Sequence, residues 1–337
     1  MTIQENESLK PYNTFGIDAS ARYFALVKSE EELQQLIHQK IYQDYEVMIL
    51  GGGSNVLLTR DFEGLMIKMD IGGVDLVEEN EQHVWLRVGA GENWHAFVLY
   101  CIARGYGGIE NLSLIPGTVG AAPMQNIGAY GVEIKDVFES LEAINLQSGE
   151  IRTFTHQECR FGYRESVFKR DLKGKYVITS VIFRLSKQPE VNTSYGTIEE
   201  ALHEMRSAEG YQARPLIQEV SDAVIQIRQS KLPDPREIGN AGSFFKNPVI
   251  SKASYEALQQ EYKNVPGYPV TDNTVKVPAG WLIEQCGWKG KRVGDTGVHS
   301  KQALVLVNHG NVKGADVYAL AMDIQHSVKE KFGIDIS

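Results

Sequence analysis

Residues 240–247 (NAGSFFKN) place a hydroxyl, an amine and an amide beside glycine and two aromatic rings. Ser243, Lys246 and Asn247 are groups that can bind an anionic substrate and give it a proton. A serine hydroxyl is a weak acid, so Ser243 can protonate only a strongly basic intermediate, such as a carbanion beside a carboxylate. No histidine lies nearby in sequence and no G-x-S-x-G motif is present, which argues against a nucleophilic role for Ser243.

A glycine-rich segment at residues 51–55 (GGGSN) follows a predicted buried strand at 47–50. The next residues, 56–58 (VLL), suit a strand better than a helix, so a helix dipole is not available for a phosphate. Binding would then depend on successive N–H groups, the Ser54 hydroxyl and the Asn55 amide. A tight turn between two strands is the alternative interpretation.

A second segment, residues 116–131 (PGTVGAAPMQNIGAYG), is unusually small and apolar for a surface loop. Its lack of side-chain bulk would let the backbone lie against a flat ring and a pyrophosphate. A glycine-rich crossing packed in the core is the competing interpretation. Because the chain has two such segments, the cofactor site is favoured.

Three further side chains are candidates for binding an anion or covering a ligand. Arg164, flanked by aromatic residues in 161–166 (FGYRES), can hold a carboxylate with two parallel hydrogen bonds, or it can pair with Glu165. Lys231 closes a predicted helix and can bind a diphosphate together with Asn247, or it can simply neutralise the helix end. Tyr195 is either an aromatic residue that belongs to a turn or a residue that covers a bound ligand.

The bulk composition limits the function. The chain has 337 residues, and 43 acidic against 34 basic residues give a net charge of −9, which disfavours nucleic acid and anionic membranes as partners. The three cysteines and eight histidines show no disulfide or metal-ligand spacing. The N-terminus lacks the pattern of an export signal and no apolar run suits a membrane span, so we expect a soluble cytoplasmic protein.

Periodicity predicts an α+β protein with three segments, at 1–71, 72–214 and 215–332. A final strand at 333–337 is predicted to return to the first segment. Helices are expected from a capping box at Ser29, from Trp94 to Gly105, from Ile217 to Pro233, at 278–286 and from Val317 onward; strands are expected at 47–50, 56–58, 65–69, 84–88, 141–146, 176–185 and 303–307.

Several long collinear motifs give the chain a close resemblance to the bacterial UDP-N-acetylenolpyruvoylglucosamine reductases (MurB). They are residues 13–15, 51–57, 115–120, 125–131, 159–164, 231–235, 239–248 and 279–283. The resemblance implies an FAD-binding fold of the vanillyl-alcohol-oxidase type in two subdomains, followed by a separate α+β substrate domain. It also implies non-covalent FAD, NADPH as co-substrate, and a cytoplasmic step of peptidoglycan synthesis in which UDP-N-acetylglucosamine enolpyruvate becomes UDP-N-acetylmuramate.

The resemblance assigns roles to individual residues. Arg164 matches the residue that stabilises the charge formed when hydride from flavin N5 reaches C3, and Ser243 matches the proton donor to C2. The substrate-contacting positions are Tyr163, Tyr195, Lys231, Asn247 and Gln302, with Tyr195 on the extra loop of one form of the enzyme. The positions expected around FAD are Gly51, Gly52, Gly53, Ser54, Asn55, Pro116, Gly117, Thr118, Gly120, Asn126, Gly128, Tyr130 and Gly131.

One position of the family pattern has no counterpart here. The family's third catalytic residue is a glutamate in a Pro-Glu-Val-like segment that would follow Ser337, and Glu330 does not match it in register. On this basis NADPH is expected to reduce the flavin normally while reoxidation by substrate is slowed. The alternatives to the family activity are an oxygen-using flavin oxidase and a non-catalytic nucleotide-sugar-binding protein.

Overall fold

The computed structural model of the protein describes residues 1–207 and 216–337. Its contacts divide the chain into two compact units. The first unit comprises Met1–Glu7, Ala21–Gly52 and Phe62–Ser230, and the second comprises Ser8–Ser20, Gly53–Asp61 and Lys231–Ser337. Two short N-terminal segments therefore belong with the C-terminal part of the chain.

The described chain contains both strands and helices. The strands are β1 (Ile3–Ser8), β2 (Ser20–Val27), β3 (Val47–Leu50), β4 (Phe62–Met69), β5 (Val74–Glu79), β6 (His83–Gly89), β7 (Gly128–Ala129), β8 (Val132–Glu133), β9 (Phe138–Asn145), β10 (Ile151–Thr155), β11 (Tyr176–Ser186), β12 (Val249–Ser251), β13 (Tyr268–Thr271), β14 (Thr274–Lys276), β15 (Arg292–Val293), β16 (Thr296–Val298) and β17 (Leu306–Asn308). The α-helices are α1 (Glu30–Ile37), α2 (Lys40–Asp44), α3 (Trp94–Ile102), α4 (His156–Cys159), α5 (Gly196–Ser207), α6 (Ile217–Lys231), α7 (Lys252–Glu261), α8 (Ala279–Gln285) and α9 (Gly314–Phe332).

The first unit contains two larger sheets. One has the order β1-β2-β4-β3, with β4 parallel to both β2 and β3. Helix α1 packs Leu33 and Leu36 into the cluster that this sheet buries. The other sheet has the order β10-β9-β11-β6-β5 and is antiparallel throughout. Its central strand β11 is buried along most of its length, as expected for a strand covered on both faces.

Local sequence determines where α1 and α3 begin and end. The Ser29 hydroxyl accepts the Glu32 N–H at 3.2 Å, which gives α1 the predicted N-cap. The Asn93 side chain accepts the Ala96 N–H at 3.0 Å and caps α3 in the same way. Gly105 then takes a left-handed conformation with φ +74°, which ends the segment as predicted.

Helix α6 packs on α5 within the first unit. Val220, Val224 and Ile227 form a buried cluster with Ile198 and Leu202 of α5. The sequence predicts this helix at the start of the substrate domain, whereas in the structure it belongs to the first unit as far as Ser230. The predicted boundary between residues 214 and 215 lies outside the described residues, and the boundary at 71/72 stays a prediction.

The second unit contains two three-stranded sheets, with orders β12-β14-β13 and β15-β16-β17. Helix α9 buries Val317, Leu320 and Ile324 and ends at Gly333, whose φ of +68° suits glycine. Within the described part of the chain, no helix has the length and apolar character needed to cross a membrane.

Two predicted strands differ from the structure. Residues 56–58 form no strand, although Leu58 is buried, because the segment packs against Gly314 rather than along a strand edge. The prediction of a strand at 333–337 is wrong as well. The Ile336 carbonyl accepts the Gln325 side chain at 2.7 Å and the Ser337 carbonyl accepts the Lys246 N–H at 2.7 Å, both within the second unit.

Candidate active site

The two glycine-rich segments meet in the first unit. A Cβ added to Gly52 would lie 2.8 Å from the Gly117 Cα, and one added to Gly51 would lie 2.8 Å from the Thr118 hydroxyl oxygen. Backbone therefore lies directly against backbone, which only glycine at position 52 permits without displacement. The packing of protein on protein at residues 117–118 is what the competing interpretation of a packed glycine-rich crossing predicts. The predicted contact of both segments with a cofactor stays a prediction.

The second glycine segment is held by backbone hydrogen bonds to the residues before α3. The Val119 N–H donates to the Glu92 carbonyl and the Gly120 N–H donates to the Ala90 carbonyl, each at 2.9 Å. A Cβ at Gly120 would lie 2.5 Å from the Ala90 Cβ. The residue at position 120 must therefore be small because Ala90 packs against it.

Gly53, at the middle of the first segment, belongs to the second unit. It has φ +63°, and a Cβ there would overlap the Tyr12 carbonyl. Its own carbonyl accepts the Thr14 N–H at 3.1 Å. The predicted motif at residues 13–15 therefore serves to hold this turn. Ser54 is half-buried and Asn55 is exposed.

Arg164 lies in a tight turn with φ +56°. The turn is closed by hydrogen bonds between Gly162 and Glu165, at 3.0 and 3.2 Å. The half-buried guanidinium donates to the Gly128 carbonyl at 2.7 Å. Within the described chain Glu165 does not pair with it, so the predicted alternative of an Arg164–Glu165 ion pair is wrong. Tyr163 is exposed beside it.

Asn126 supports this turn from the glycine-rich segment. Its side-chain amide is fully buried and donates to the Gly162 carbonyl at 3.0 Å and to the Glu133 carboxylate at 3.1 Å. Its side-chain oxygen accepts the Lys135 N–H at 3.2 Å. Since all these contacts are internal, the Asn126 side chain has a structural role, and its predicted contact with a cofactor remains untested.

Arg228 of α6 is a site residue that the sequence analysis did not identify. Burial lowers the pKa of Arg228, the nearby Tyr130 raises it, and the charge of Arg164 lowers it. No carboxylate is among these influences, and an arginine so placed still carries its charge. Two guanidinium groups of the first unit therefore lie close enough to interact, and they suit an anionic ligand. A recognisable signal existed: Arg228 follows Val220 and Val224 at intervals of four, on the apolar stripe of the helix.

Tyr130 and Tyr195 form an aromatic pair beside Arg228. Their rings are 5.5 Å apart and perpendicular. Burial raises the pKa of Tyr130, while the Arg228 charge opposes the shift. The Tyr195 ring is 51% exposed, and its carbonyl accepts the Ile198 N–H at the start of α5. Tyr195 thus starts a helix and presents an exposed ring, and its predicted role as a lid over a ligand stays a prediction.

Gly128 and Gly131 continue the second glycine segment around Tyr130. The Tyr130 carbonyl accepts the Asn111 side chain at 3.0 Å, and the Gly131 carbonyl accepts the Asn192 side chain at 3.3 Å. Tyr130 and Gly131 both have positive φ, of 50° and 79°. This tight backbone path positions the Tyr130 ring.

Ser243 belongs to a turn in the second unit. The Gly242 N–H donates to the buried Asn240 side chain at 3.0 Å, and Gly242 has φ +71°. Ser243 then forms a bridge with Val305, next to a hydrogen bond from the Phe244 N–H to the Leu304 carbonyl at 2.8 Å. The Ser243 side chain is exposed, so it can exchange protons with solvent.

Asn247, Gln302 and Lys231 lie on segments that this part of the second unit brings together. The Asn247 side-chain oxygen accepts the Ala279 N–H at 3.0 Å, and the Gln302 side-chain oxygen lies 3.6 Å from the Cβ position of Gly280. Lys231 is exposed and is followed by Pro233, whose carbonyl accepts the Asn240 side chain at 3.3 Å. The start of α8 thus brings Asn247 and Gln302 together, and Asn240 links the Lys231 segment to the Ser243 turn.

The donor set fits the FAD that the resemblance implies. Residues 107–131 contain Glu110 as their one charged side chain, and Glu110 is buried and accepts the Gly108 N–H at 2.7 Å. Residues 51–55 and 107–131 therefore offer backbone N–H and hydroxyl donors, and Glu110 is the one carboxylate within these two segments. Among residues 1–207 and 216–337, no group of three or more His, Cys, Asp or Glu side chains is arranged to hold a metal.

Comparison with known proteins adds independent findings. The model of the C-terminal domain of UDP-N-acetylenolpyruvoylglucosamine reductase matches residues 234–337, and an FAD binding domain model matches residues 21–155. The reductase of that name from Amoebophilus asiaticus is 53% identical over 335 residues, covering 99% of this chain and 97% of the relative. The one from Flavobacterium johnsoniae is 51% identical over 337 residues, covering 100% and 98%.

A solved structure supports the fold. The crystal structure of UDP-N-acetylenolpyruvylglucosamine reductase (MurB) from Thermus caldophilus has a TM-score of 0.68 at 24% identity, covering 100% of this chain and 97% of that one. Together with the FAD binding domain, it confirms the predicted fold class, an FAD-binding fold of the vanillyl-alcohol-oxidase type with a separate α+β domain.

Proposed function

Since the chain belongs to the UDP-N-acetylenolpyruvoylglucosamine reductase family, we propose that it reduces UDP-N-acetylglucosamine enolpyruvate to UDP-N-acetylmuramate. The electron donor is NADPH and the bound cofactor is FAD. The observation that carries the proposal is the backbone contact of Gly52 with Gly117, in a segment matched by the FAD binding domain. We further propose that the reaction takes place in the cytoplasm, as a step of peptidoglycan synthesis.

Residues of the two glycine-rich segments would hold the FAD. N–H groups around Gly51, Gly52, Gly117 and Thr118 suit its pyrophosphate, because successive backbone donors bind anions without a helix dipole. Gly53, Ser54, Asn55, Pro116, Gly120, Gly128, Tyr130 and Gly131 complete this proposed set. When bound, FAD supplies the two-electron chemistry that connects NADPH to the substrate.

Arg164 would bind the carboxylate of the enolpyruvyl group. Hydride addition at C3 moves an electron pair toward C2 and the carboxylate, so negative charge grows there in the transition state. The Gly128 carbonyl already fixes the Arg164 guanidinium, which limits the reorganisation that charge stabilisation requires. Arg228 adds a second cation on the same unit and increases the positive potential.

Ser243 would complete the reaction by giving its hydroxyl proton to C2. The balance is simple: one hydride joins C3, one proton joins C2, and the double bond becomes a single bond. The serine oxygen is left negative and takes a proton back from water, which its exposed position allows. The hydrogen bond from the Gly242 N–H to the Asn240 side chain fixes the backbone turn that carries Ser243.

The remaining predicted residues would bind the rest of the substrate. Lys231, Asn247 and Gln302 offer one ammonium and two amides for the diphosphate and sugar. Tyr163 and Tyr195 present exposed rings, and Tyr195 is well suited to cover a bound nucleotide because Tyr130 supports its ring.

Anaerobic mixing experiments test the proposal. NADPH should bleach the flavin absorbance of the purified protein, and UDP-N-acetylglucosamine enolpyruvate added afterwards should restore it with formation of UDP-N-acetylmuramate. Restoration by oxygen alone, with turnover of an alcohol and no need for NADPH, would favour the flavin oxidase alternative. A colourless protein that binds the sugar nucleotide and no FAD would favour the binding-protein alternative.

A further inference from the structure

Leu114 lies immediately before the second glycine-rich segment and has a left-handed backbone with φ +57°. A leucine rarely adopts this conformation, because its Cβ approaches the backbone too closely. Such a residue keeps its conformation only where surrounding contacts hold it, and these contacts often lie at functional sites. The residues that hold Leu114 are therefore of interest.

Two side chains from different helices bind the backbone of Leu114. The Nδ1 atom of His95, in the first turn of α3, accepts the Leu114 N–H at 2.9 Å. The Nε atom of Arg228, in α6, donates to the Leu114 carbonyl at 3.2 Å. Both backbone polar groups of the strained residue are thus bound by side chains.

The same two helices hold the neighbours of Leu114. The Trp94 ring nitrogen donates to the Leu112 carbonyl at 2.9 Å, and the Trp94 N–H donates to the Gly117 carbonyl at 3.1 Å. On the other side, the buried hydroxyls of Ser113 and Ser221 lie 2.7 Å apart. Among these contacts, the one made by His95 depends on the protonation of a side chain that titrates near neutral pH.

The contact requires neutral His95. Because Nδ1 accepts a hydrogen bond, the ring proton must sit on Nε2, and protonation would turn Nδ1 into a donor that opposes the Leu114 N–H. Burial lowers the pKa of His95, and the positive charge of Arg228 lowers it further. The first turn of α3 also disfavours a cation. These influences all favour the neutral form.

We propose that neutral His95 is a positioning residue for the cofactor, because it fixes Leu114 and so presents residues 115–120 to FAD. This inference rests on the proposed function only in requiring that FAD binds. Protonation of His95 removes the hydrogen bond and places a second cation beside Arg228. FAD affinity should therefore fall under acidic conditions.

The pH window follows from the direction of the shift. The pKa of His95 in the folded protein lies below its ordinary value of 6.5, so the hydrogen bond is fully present above that pH. It is lost as the pH falls through this lowered value. Loss of one hydrogen bond to a partly buried N–H should weaken FAD binding about tenfold.

The test compares variants that keep or remove the acceptor. His95→Asn places an amide oxygen near the Nδ1 position and cannot titrate in this range, so it should bind FAD about as tightly as the wild type at pH 8 and show a weaker acid dependence. His95→Phe keeps the ring without an acceptor and should bind about tenfold more weakly at every pH. His38→Asn, at an exposed histidine, is the matched control and should behave as the wild type.

A second readout separates positioning from general destabilisation. Amide hydrogen exchange of residues 112–120 in the flavin-free protein, corrected for intrinsic rates, should accelerate in the wild type as the pH is lowered stepwise from 8 through the lowered pKa of His95, and not in His95→Asn. This comparison remains valid if His95→Phe fails to fold. Equal acid dependence of FAD binding in wild type and His95→Asn would overturn the inference, whereas failure to bind FAD at any pH would overturn the proposed function instead.

Discussion

The contact of Gly52 with Gly117 leads to a quantitative prediction for Gly52→Ala. The added Cβ would lie 2.8 Å from the Gly117 Cα and 3.2 Å from the Gly117 carbonyl carbon. Carbon atoms prefer separations of about 3.5 to 4.0 Å, so one segment must move by roughly 0.7 Å or more. Since both neighbours are backbone, rotation of a side chain cannot relieve the overlap. Overpacking of this kind costs about 2 kcal/mol.

This free energy can appear either as a lower stability of the folded protein or as weaker binding of FAD, and two measurements separate these cases. If the segments stay together without FAD, the flavin-free protein should unfold at a temperature lower by about 4 to 8 °C. If they separate without FAD, thermal stability is kept and the FAD dissociation constant rises about thirtyfold. Differential scanning calorimetry and flavin fluorescence titration supply the two numbers.

Gly310→Ala is the matched control for this prediction. A Cβ at Gly310 would meet nothing within 4 Å, and Gly310 has no positive φ. It should change neither the unfolding temperature nor FAD affinity appreciably. If Gly52→Ala were as mild as this control in both measurements, the proposed close contact of the two segments would be refuted.

Three further predictions concern the proposed chemistry and the electrostatics. Ser243→Ala should leave flavin reduction by NADPH unchanged and slow reoxidation by substrate at least about a hundredfold, since a general acid contributes about that much or more; Ser300→Ala is the control in stopped-flow measurements. Arg164→Met should reduce kcat/KM about thirtyfold or more by removing a charged hydrogen-bond donor, whereas Arg236→Met, at an exposed arginine, should not. Glu158→Gln should flatten the loss of stability in acid, because the Thr155 backbone N–H, the Arg152 guanidinium and the Thr155 hydroxyl lower the pKa of Glu158 to about 2.

The sign of the Glu158 effect follows from linkage. Its ordinary pKa is 4.5, so the folded protein keeps the carboxylate ionised at pH values where the unfolded chain takes up a proton. The stabilisation is complete above about pH 4.5 and disappears as the pH falls to about 2. Urea unfolding across this range should show a smaller change of the free energy of unfolding with pH for Glu158→Gln than for the wild type, and an equal change would contradict the assignment.

Equal reoxidation rates for Ser243→Ala and the wild type would show that Ser243 is not the proton donor.

The sequence predicted the helices and strands that are determined by residues close to one another in the chain. The capped start of α1, the end of α3 before the left-handed Gly105 and the strands β3 and β4 follow from side chains a few residues apart, and their presence is confirmed. The wrong strand at 56–58 has a physical cause. A short apolar run is compatible with any buried segment, and Gly314 rather than a neighbouring strand decides its conformation.

The features that could not be predicted from the sequence depend on contacts between residues far apart in the chain. The strain at Leu114 is invisible in the sequence because leucine has no preference for positive φ, and its partners His95 and Arg228 lie 19 and 114 residues away. Likewise, the sequence offered Glu165 as the partner of Arg164, whereas the Gly128 carbonyl, 36 residues away, accepts the hydrogen bond. Adjacent opposite charges are a weak predictor, since backbone turns direct neighbouring side chains apart.

Close packing within the protein and close approach of a cofactor produce the same glycine-rich pattern in a sequence. The small size of the glycines was attributed to close approach of a cofactor, yet the Cβ positions of Gly52 and Gly120 are filled by protein, namely Gly117 and Ala90. Gly52 therefore permits the contact between the two glycine-rich segments, and Gly120 permits the contact between its own segment and Ala90. Gly120→Ala should accordingly destabilise even the flavin-free protein, because its Cβ would lie 2.5 Å from the Ala90 Cβ and 3.0 Å from the Ala90 Cα. A flavin-free variant with the wild-type unfolding temperature would show instead that Gly120 packs against Ala90 only when the cofactor is bound.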